Sequence, residues 1–435
     1  MAIYGIDLGT TNSLIGMHKT GFLSEIVPSC VNIDTGEAGK TMYNNMDAAR
    51  SFKVDMSMGT EGIMPRVASQ HVLHALASKV YFDTVKDVVI SVPAYFSDSQ
   101  RAATVAAAKM AGLEVKALVN EPTAAAMYIA NQKQGLFVVY DLGGGTFDCS
   151  IIDSRFGTFD VQATDGCKIG GDDFDKNIMR YFVKHGKIPI HTLGKTDSFA
   201  IQHFASYIKV KMQKDKKAMN IDLSKWGGRQ LMFTPEIYTE LMKLTFAETI
   251  NCMKRLIDTW IPSTERYDIL LVGGSTHCPY LHQWIESATG KVPAPLTYDP
   301  DRVVAQGAAL YADLYEQGKI ITSVSDVTKQ LSIGLYDGTV DMVVPANSKI
   351  PLSMEKLFAN ITQSDKLELD LYQGQSAFRK DNECIGTLVY QYNCVKMPRE
   401  GQVLVTIEID ENGLITFSAQ ELLGTKQTIV LNRKD

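Results

Sequence analysis

Two apolar runs with the same punctuation stand far apart in the chain. Residues 3–17 pass from Ile3-Tyr4-Gly5-Ile6 through Asp7-Leu8-Gly9-Thr10-Thr11-Asn12 into a second apolar run. Residues 137–152 repeat the scheme: Phe137-Val138-Val139-Tyr140, then Asp141-Leu142-Gly143-Gly144-Gly145-Thr146, then more apolar residues. Strand-like runs flanking a small-residue turn predict a β-hairpin in each case. Repetition at this separation points to two similar halves with a cleft between them rather than to a solenoid. Between the hairpins, 85–92 reads as a buried strand closed by Pro93. The Ala-rich stretch 98–112 reads as a helix capped by Ser97 or Asp98 and stopped by Gly112. Helical periodicity returns at 173–185, 198–219 and 234–260, and a further strand at 267–272 ends in Gly273-Gly274-Ser275-Thr276. Strands alternating with helices indicate an α/β architecture.

The period changes near residue 320. Leu367, Leu369 and Leu371 are interleaved with Glu368 and Asp370, and Val403, Val405, Ile407 and Ile409 lead into an Asp410-Glu411-Asn412-Gly413 turn. Period-two runs with turns between them predict an antiparallel β-sandwich. The expected organisation is an α/β unit over 1–319, a linker over 320–330 (polar at Ile320 to Asp326), and an all-β sandwich over 331–435. No helical pattern follows the sandwich.

Composition narrows the class. Hydrophobic residues make up 45% and charged residues 21% of the 435, ordinary globular proportions. A net charge of -6 gives no footprint for nucleic acid. The five lysines between Lys209 and Lys217 read as a solvated helix face. Seven dispersed cysteines without a C-x-x-C pair suggest reduced thiols. Asp7 interrupts any signal-peptide core, and no run approaches the ~18 apolar residues of a membrane span. A cytoplasmic protein with no membrane partner is expected.

Glycine–threonine turns beside an aspartate suit a nucleoside triphosphate. Backbone N–H groups at Gly9 to Asn12 and at Gly143 to Thr146 can form concave nests for phosphate oxygens. Thr10, Thr11 and Thr146 add hydroxyls, and Asp7 and Asp141 at the strand ends can hold Mg²⁺ through its waters. One such turn is weak evidence; a matched pair is much stronger. The Walker-like Gly39-Lys40-Thr41 and Gly194-Lys195-Thr196 lack the leading glycine, with Asp34 and Pro189 in its place. The eight histidines show no metal-ligand spacing.

Six ordered motifs carry a resemblance. They are Asp7-Leu8-Gly9-Thr10-Thr11-Asn12-Ser13, Val92-Pro93-Ala94-Tyr95-Phe96, the stretch from Asn120-Glu121-Pro122 to Ala126, and the stretch from Asp141 to Asp148. Gly170-Gly171-Asp172-Asp173-Phe174-Asp175 and Val272-Gly273-Gly274-Ser275-Thr276 complete the series. In this order the chain resembles the 70-kDa heat-shock chaperone family. Asp326-Val327-Thr328, Leu331-Ser332-Ile333-Gly334, Pro345-Ala346-Asn347 and the 410–413 turn extend the resemblance through the β-rich part.

The resemblance implies an actin-like, ribonuclease-H-like duplicated two-lobed ATPase followed by a peptide-binding sandwich without the helical lid. It implies ATP and ADP, Mg²⁺ and room for K⁺. Lys53 matches the catalytic lysine, Glu121 the glutamate of the hydrolytic and Mg²⁺ network, and Thr146 the threonine on the γ-phosphate. Asp148 matches the aspartate beside the water and monovalent cations, and Asp141 shares in the catalytic set. Gly170, Gly171, Ser206, Lys209, Val210, Gln213, Gly273, Gly274, Ser275, Thr276, His277 and Asp301 are expected around the nucleotide. Pro93, Arg101 and Asp326 match coupling residues. Ile333, Leu335, Leu367 and Leu369 are expected to line a peptide groove, although alternating leucines also make an ordinary sandwich core. Extended polypeptide clients, a J-domain co-chaperone and a nucleotide exchange factor are the implied partners.

The chain also departs from the family. The stretches before and after Lys53 are short, which implies a reduced peripheral subdomain. His277 replaces an adenine-stacking arginine, and Ser206 an adenine-side glutamate. Thr322-Ser323-Val324-Ser325 replaces a leucine-rich linker, and Ala117 a basic J-domain contact. The leading expectation is an ATPase chaperone; the alternative is a nucleotide-gated binding protein with little hydrolysis.

Overall fold

A computed structural model describes residues 2–319, 324–421 and 426–429, apart from Met46, Gly59, Tyr95, Gln132 and Gly157; at Thr192, Lys195, 324–327 and 426–429 it describes the backbone alone. The first mixed sheet contains β1 (Ile3–Leu8), β2 (Asn12–Met17), β3 (Phe22–Leu23), β4 (Val27–Pro28), β5 (Asp87–Val92) and β6 (Glu114–Asn120). Its order is β3-β2-β1-β5-β6, with β4 on β2. The β1–β2 pair is the antiparallel hairpin that the pattern predicts. β1, β5 and β6 run parallel, and such pairs need crossover connections. Helix α1 (Ile63–Ala77) precedes β5, and α2 (Asp98–Met110) joins β5 to β6. Ser97 caps α2 in a reciprocal box with Gln100, and Gly112 follows in the left-handed conformation, φ 79°.

The second sheet runs β12-β7-β8-β9, from β7 (Leu136–Leu142), β8 (Phe147–Asp153), β9 (Phe159–Cys167) and β12 (Asp268–Val272). Alternation along each strand divides the side chains between two layers. Val138, Tyr140 and Leu142 face a core closed by α4 (Gly171–His185), α5 (Lys195–Asp215) and α6 (Pro235–Trp260). Phe137 and Val139 face the opposite way, into a core shared with Val89 and Val119 of the first sheet. Helices α3 (Glu121–Ala130) and α8 (Val303–Glu316) fill that shared layer. A Cβ on Gly307 of α8 would fall 1.8 Å from the Ala124 carbonyl oxygen, so glycine sets how closely these helices approach. A short pair, β10 (Met219–Ile221) with β11 (Leu231–Phe233), and helix α7 (Leu281–Thr289) complete this part.

The β-rich part holds two four-stranded antiparallel sheets. One is ordered β15-β14-β18-β19, from β14 (Leu331–Gly334), β15 (Val340–Val344), β18 (Ser364–Gln373) and β19 (Glu383–Lys396). The other is β17-β20-β21-β22, from β17 (Leu352–Ala359), β20 (Gln402–Ile409), β21 (Ile415–Glu421) and β22 (Lys426–Ile429). Ile333, Leu369, Leu371 and Leu388 of one meet Val403, Val405, Ile407 and Phe417 of the other in a single core.

The 320–330 segment, expected as a linker, takes the form of a strand over part of its described length. β13 (Val324–Val327) pairs in parallel with the edge of β9 and antiparallel with β16 (Lys349–Ile350). Backbone hydrogen bonding to an open sheet edge needs no apolar alternation, so the polar sequence concealed the strand. Ile320 to Ser323 lie outside the described residues.

Candidate functional site

Two glycine turns from the two sheets meet. In the first, the Gly9 N–H donates to Ser13 Oγ at 3.1 Å, and Ser29 Oγ donates to the Gly9 carbonyl at 2.7 Å. The Ser13 and Ser29 hydroxyls are 2.8 Å apart, so two buried serines shape the turn. A Cβ on Gly9 would lie 2.0 Å from the Asn12 carbonyl oxygen. In the second turn, the Gly143 N–H donates to the Thr146 carbonyl, while Gly171 and Asp172 N–H groups donate to the carbonyls of Gly143 and Gly144. Ser275 Oγ donates to the Gly143 carbonyl as well, at 2.8 Å. A Cβ on Gly144 would fall 2.1 Å from Thr11 Oγ1, and one on Gly145 3.1 Å from Thr10 Cγ2. The turns therefore touch. Gly9 and Gly143 use their N–H groups internally, and Thr10-Thr11 and Gly144-Gly145 are the parts that meet between the turns.

Acidic groups collect beneath the turns. Asp7 sits opposite Ser91 on β5, whose hydroxyl donates to its carboxylate at 2.9 Å. Asp141 sits opposite Asp148 across the β7–β8 pair, and both are buried. Lys53 is buried, forms an ion pair with Glu121 at the start of α3, and lies 5.5 Å from the Phe96 ring centroid. Burial and then repulsion from Glu121 push the Asp7 carboxyl up to about 7. Asp141 is raised well above the usual carboxylate range by burial, then by Glu121, Asp148 and Asp7. Its Oδ2 is buried without a hydrogen-bond partner among the described residues. One lysine cannot balance four clustered carboxylates, and an orphaned buried oxygen calls for a ligand. This donor set fits a hard divalent cation held through its waters.

The nucleoside-side motifs converge on the same turns. Gly273 (φ 85°) packs against Leu142 and Asp141, and Gly274 lies against Asp301. Thr276 Oγ1 donates to the Gly273 carbonyl. A Cβ on Gly170 would meet the Gly144 and Gly145 backbone at 2.5 Å, which binds the start of α4 to the second turn. Three expected contact residues have other partners. Lys209 is buried, paired with Asp175 at 2.8 Å and bonded to the Gly171 carbonyl. Gln213 bonds to Tyr238, and His277 Nε2 lies 2.9 Å from Asp301 Oδ2. The Asp301 bond raises His277 above the usual imidazole range, opposed by burial. Ser206 is half-buried, whereas Val210 is exposed on α5.

The β-rich part is seated on the first sheet through the 410–413 turn. Arg101 of α2 donates to the Asn412 carbonyl at 3.2 Å and to Asn120 Oδ1 at 2.7 Å. Asn412 Oδ1 accepts the Leu118 N–H of β6, and Asp98 accepts the Ile415 N–H. On the second sheet, Asn347 accepts the Thr164 N–H, and Lys349 binds Asp160 and the Val161 carbonyl. Pro93 is buried, with its carbonyl accepting the Phe96 N–H. Asp326 pairs through its backbone with Ile350; its side chain lies outside the described atoms.

Ile333 and Leu369 are fully enclosed in the sandwich core, so they do not line an open groove. Leu335 and Leu367 are only partly buried against it. Sequence reasoning missed Ser91, Phe96, Asp175, Asp98 and Asn412 as participants. In the sequence Asp98 reads as a helix cap and Asn412 as part of the 410–413 turn that carries the resemblance, residue types that serve locally in most proteins. No helix among the described residues is long and apolar enough to cross a membrane.

A family model described as Hsp70 protein matches residues 40–434. The first hairpin precedes that stretch, so its place in the site rests on the contacts between the turns. With the match covering nearly all of the remaining chain, this protein belongs to the Hsp70 family, whose members are nucleotide-binding, ATP-hydrolysing chaperones of unfolded polypeptides.

Proposed function

We propose that the chain hydrolyses Mg²⁺·ATP between its two glycine turns and couples that reaction to the holding of extended apolar polypeptide. Residues 1–319 are read as an actin-like duplicated pair of lobes, one around each mixed sheet, and 331–435 as the peptide-holding domain. The observation that carries the reading is the contact of Thr10-Thr11 with Gly144-Gly145 above the Lys53, Glu121, Asp141 and Asp148 cluster.

Phosphoryl transfer to water asks mainly for positioning and charge. Thr10, Thr11, Gly144, Gly145 and Thr146 orient the phosphates. Lys53, held by Glu121 and the Phe96 ring, balances charge growing on the γ-phosphate oxygens. Asp148 accepts a hydrogen bond from the attacking water and is the residue that would hold K⁺ beside it. Asp7 and Asp141 would hold Mg²⁺ through its waters, and the ion supplies neutralisation of phosphate charge. Arg101, seated on Asn412, carries the state of the α/β unit to the sandwich; Leu335 and Leu367 remain available to peptide. Cytoplasmic clients, a J-domain protein and an exchange factor are the partners of this reading.

A second reading, nucleotide gating with little hydrolysis, draws on His277 and Lys209, both engaged by neighbouring aspartates. Single-turnover ATP hydrolysis with and without an apolar heptapeptide separates the two. Peptide-stimulated phosphate release supports coupling, and tight ATP retention supports gating. Lys53→Ala is expected to lower turnover by about 100-fold or more. Unchanged turnover in a folded variant removes the assigned chemistry.

A further inference from the structure

A second set of contacts joins the two halves away from the carboxylates. The segment between Met42 and Arg50 belongs to the first half, anchored by the bridge of Ala49 to Val31. Arg50 gives it a fixed shape by donating to the carbonyls of Met42, Tyr43, Asn45 and Ala48. With its edge so engaged, the guanidinium lays its face over Phe199 of α5, 4.9 Å from the ring centroid. Tyr43 meets His203, one helical turn further along α5, at 5.2 Å and 66°. Phe199 and His203 are themselves near-parallel, so they form one aromatic strip on the second half.

The same segment leads directly to the reaction centre. Ser51 follows Arg50 in the left-handed conformation (φ 53°), a region disfavoured for residues with a Cβ. Its hydroxyl lies close enough to Asp172, in the first turn of α4, to lower that carboxyl against the larger raising effect of burial, and the start of α4 is bound to the second glycine turn. Lys53 comes two residues later, and Val54 Cγ1 packs 2.7 Å from where a Gly145 Cβ would lie. One short run of chain thus connects the cross-cleft contacts to the lysine.

We propose that Tyr43 and Arg50 against Phe199 and His203 form a clasp across the cleft that sets how long nucleotide stays bound. Ligand trapped between two turns on separate halves can leave only when the halves part, and parting breaks these contacts. Cation–aromatic and edge-on aromatic pairs are weak enough to open repeatedly without unfolding either half. Exposure of Tyr43 (45%) keeps the clasp at the rim, where it can yield before the core does. The proposal rests on the reading that nucleotide occupies this cleft.

Release of fluorescently labelled ADP from the full chain with Mg²⁺, chased by unlabelled ADP, tests it. Tyr43→Ala combined with Phe199→Leu is expected to release ADP about fivefold to tenfold faster, while Phe199→Tyr stays within about twofold of the parent. Single-turnover hydrolysis of prebound ATP is expected to be unchanged in both variants, because neither substituted residue contacts the phosphate turns. Equal release rates in folded parent and double variant overturn the clasp alone. Failure of the parent to bind labelled ADP overturns the cleft reading and the clasp together. If ADP binds but ATP is never cleaved, the proposed hydrolysis falls while the release comparison still decides the clasp.

Discussion

The two glycine turns look alike in sequence and are supported in different ways. The first is shaped by side chains, with the hydroxyls of Ser13 and Ser29 serving the Gly9 N–H and carbonyl. The second is shaped mainly by backbone, with Gly171 and Asp172 donating into its carbonyls and Gly170 packed on Gly144. Side-chain braces can be removed atom by atom, whereas a backbone brace tolerates almost no added volume. Duplicated motifs need not have duplicated supports, and their sensitivity to mutation should differ accordingly.

Gly170→Ala gives the largest expected effect. Its Cβ would meet backbone atoms of Gly144 and Gly145 at 2.5 Å, and backbone has no flexible end to move. Overpacking of this kind costs about 1–3 kcal/mol of stability, and the displaced second turn should lose most of its nucleotide affinity. Thermal unfolding and nucleotide titration check both. Ser29→Ala should do less. It removes the donor to the Gly9 carbonyl and the partner of Ser13, for a loss of about 1–2 kcal/mol. Unfolding in denaturant measures this, and a Ser29→Ala loss exceeding that of Gly170→Ala would reverse the comparison.

The smallest effect concerns pH and the carboxylates beneath the turns. Burial and Glu121 raise Asp7 to about 7 in the folded protein, against the ordinary carboxylate range when unfolded. Between those values the folded state binds more protons than the unfolded one, so stability falls as pH rises. Without Mg²⁺, unfolding midpoints should therefore decline from about pH 5 to pH 7. Asp7→Asn should flatten that decline, and added Mg²⁺·ADP should offset it with release of protons. A midpoint that rises across this range in the parent protein would contradict the carboxylate cluster.

Much of this was legible in the chain. The mirrored Asp-Leu-Gly turns, the Ser97 cap and the period-two runs each leave a local signature, and the corresponding elements formed within a few residues of expectation. Long-range partnerships leave none. Nothing near Lys209 announces Asp175, and Ser13 and Ser29 look like ordinary serines until β4 lies beside β2. β13 was hidden because its partners are backbone groups of β9 and β16. Ile333 and Leu369 show the converse limit: alternation marks a sandwich strand but does not tell how deeply a given position on its inner face is buried.

A crystal structure with Mg²⁺, ADP and a γ-phosphate mimic addresses the account most directly. The polyphosphate is expected between Thr10-Thr11 and Gly144-Gly145, with the cation on the Asp7 and Asp141 side and Lys53 reaching the γ position. Nucleotide bound elsewhere, or the turns drawn apart with side chains filling the space between them, would contradict it.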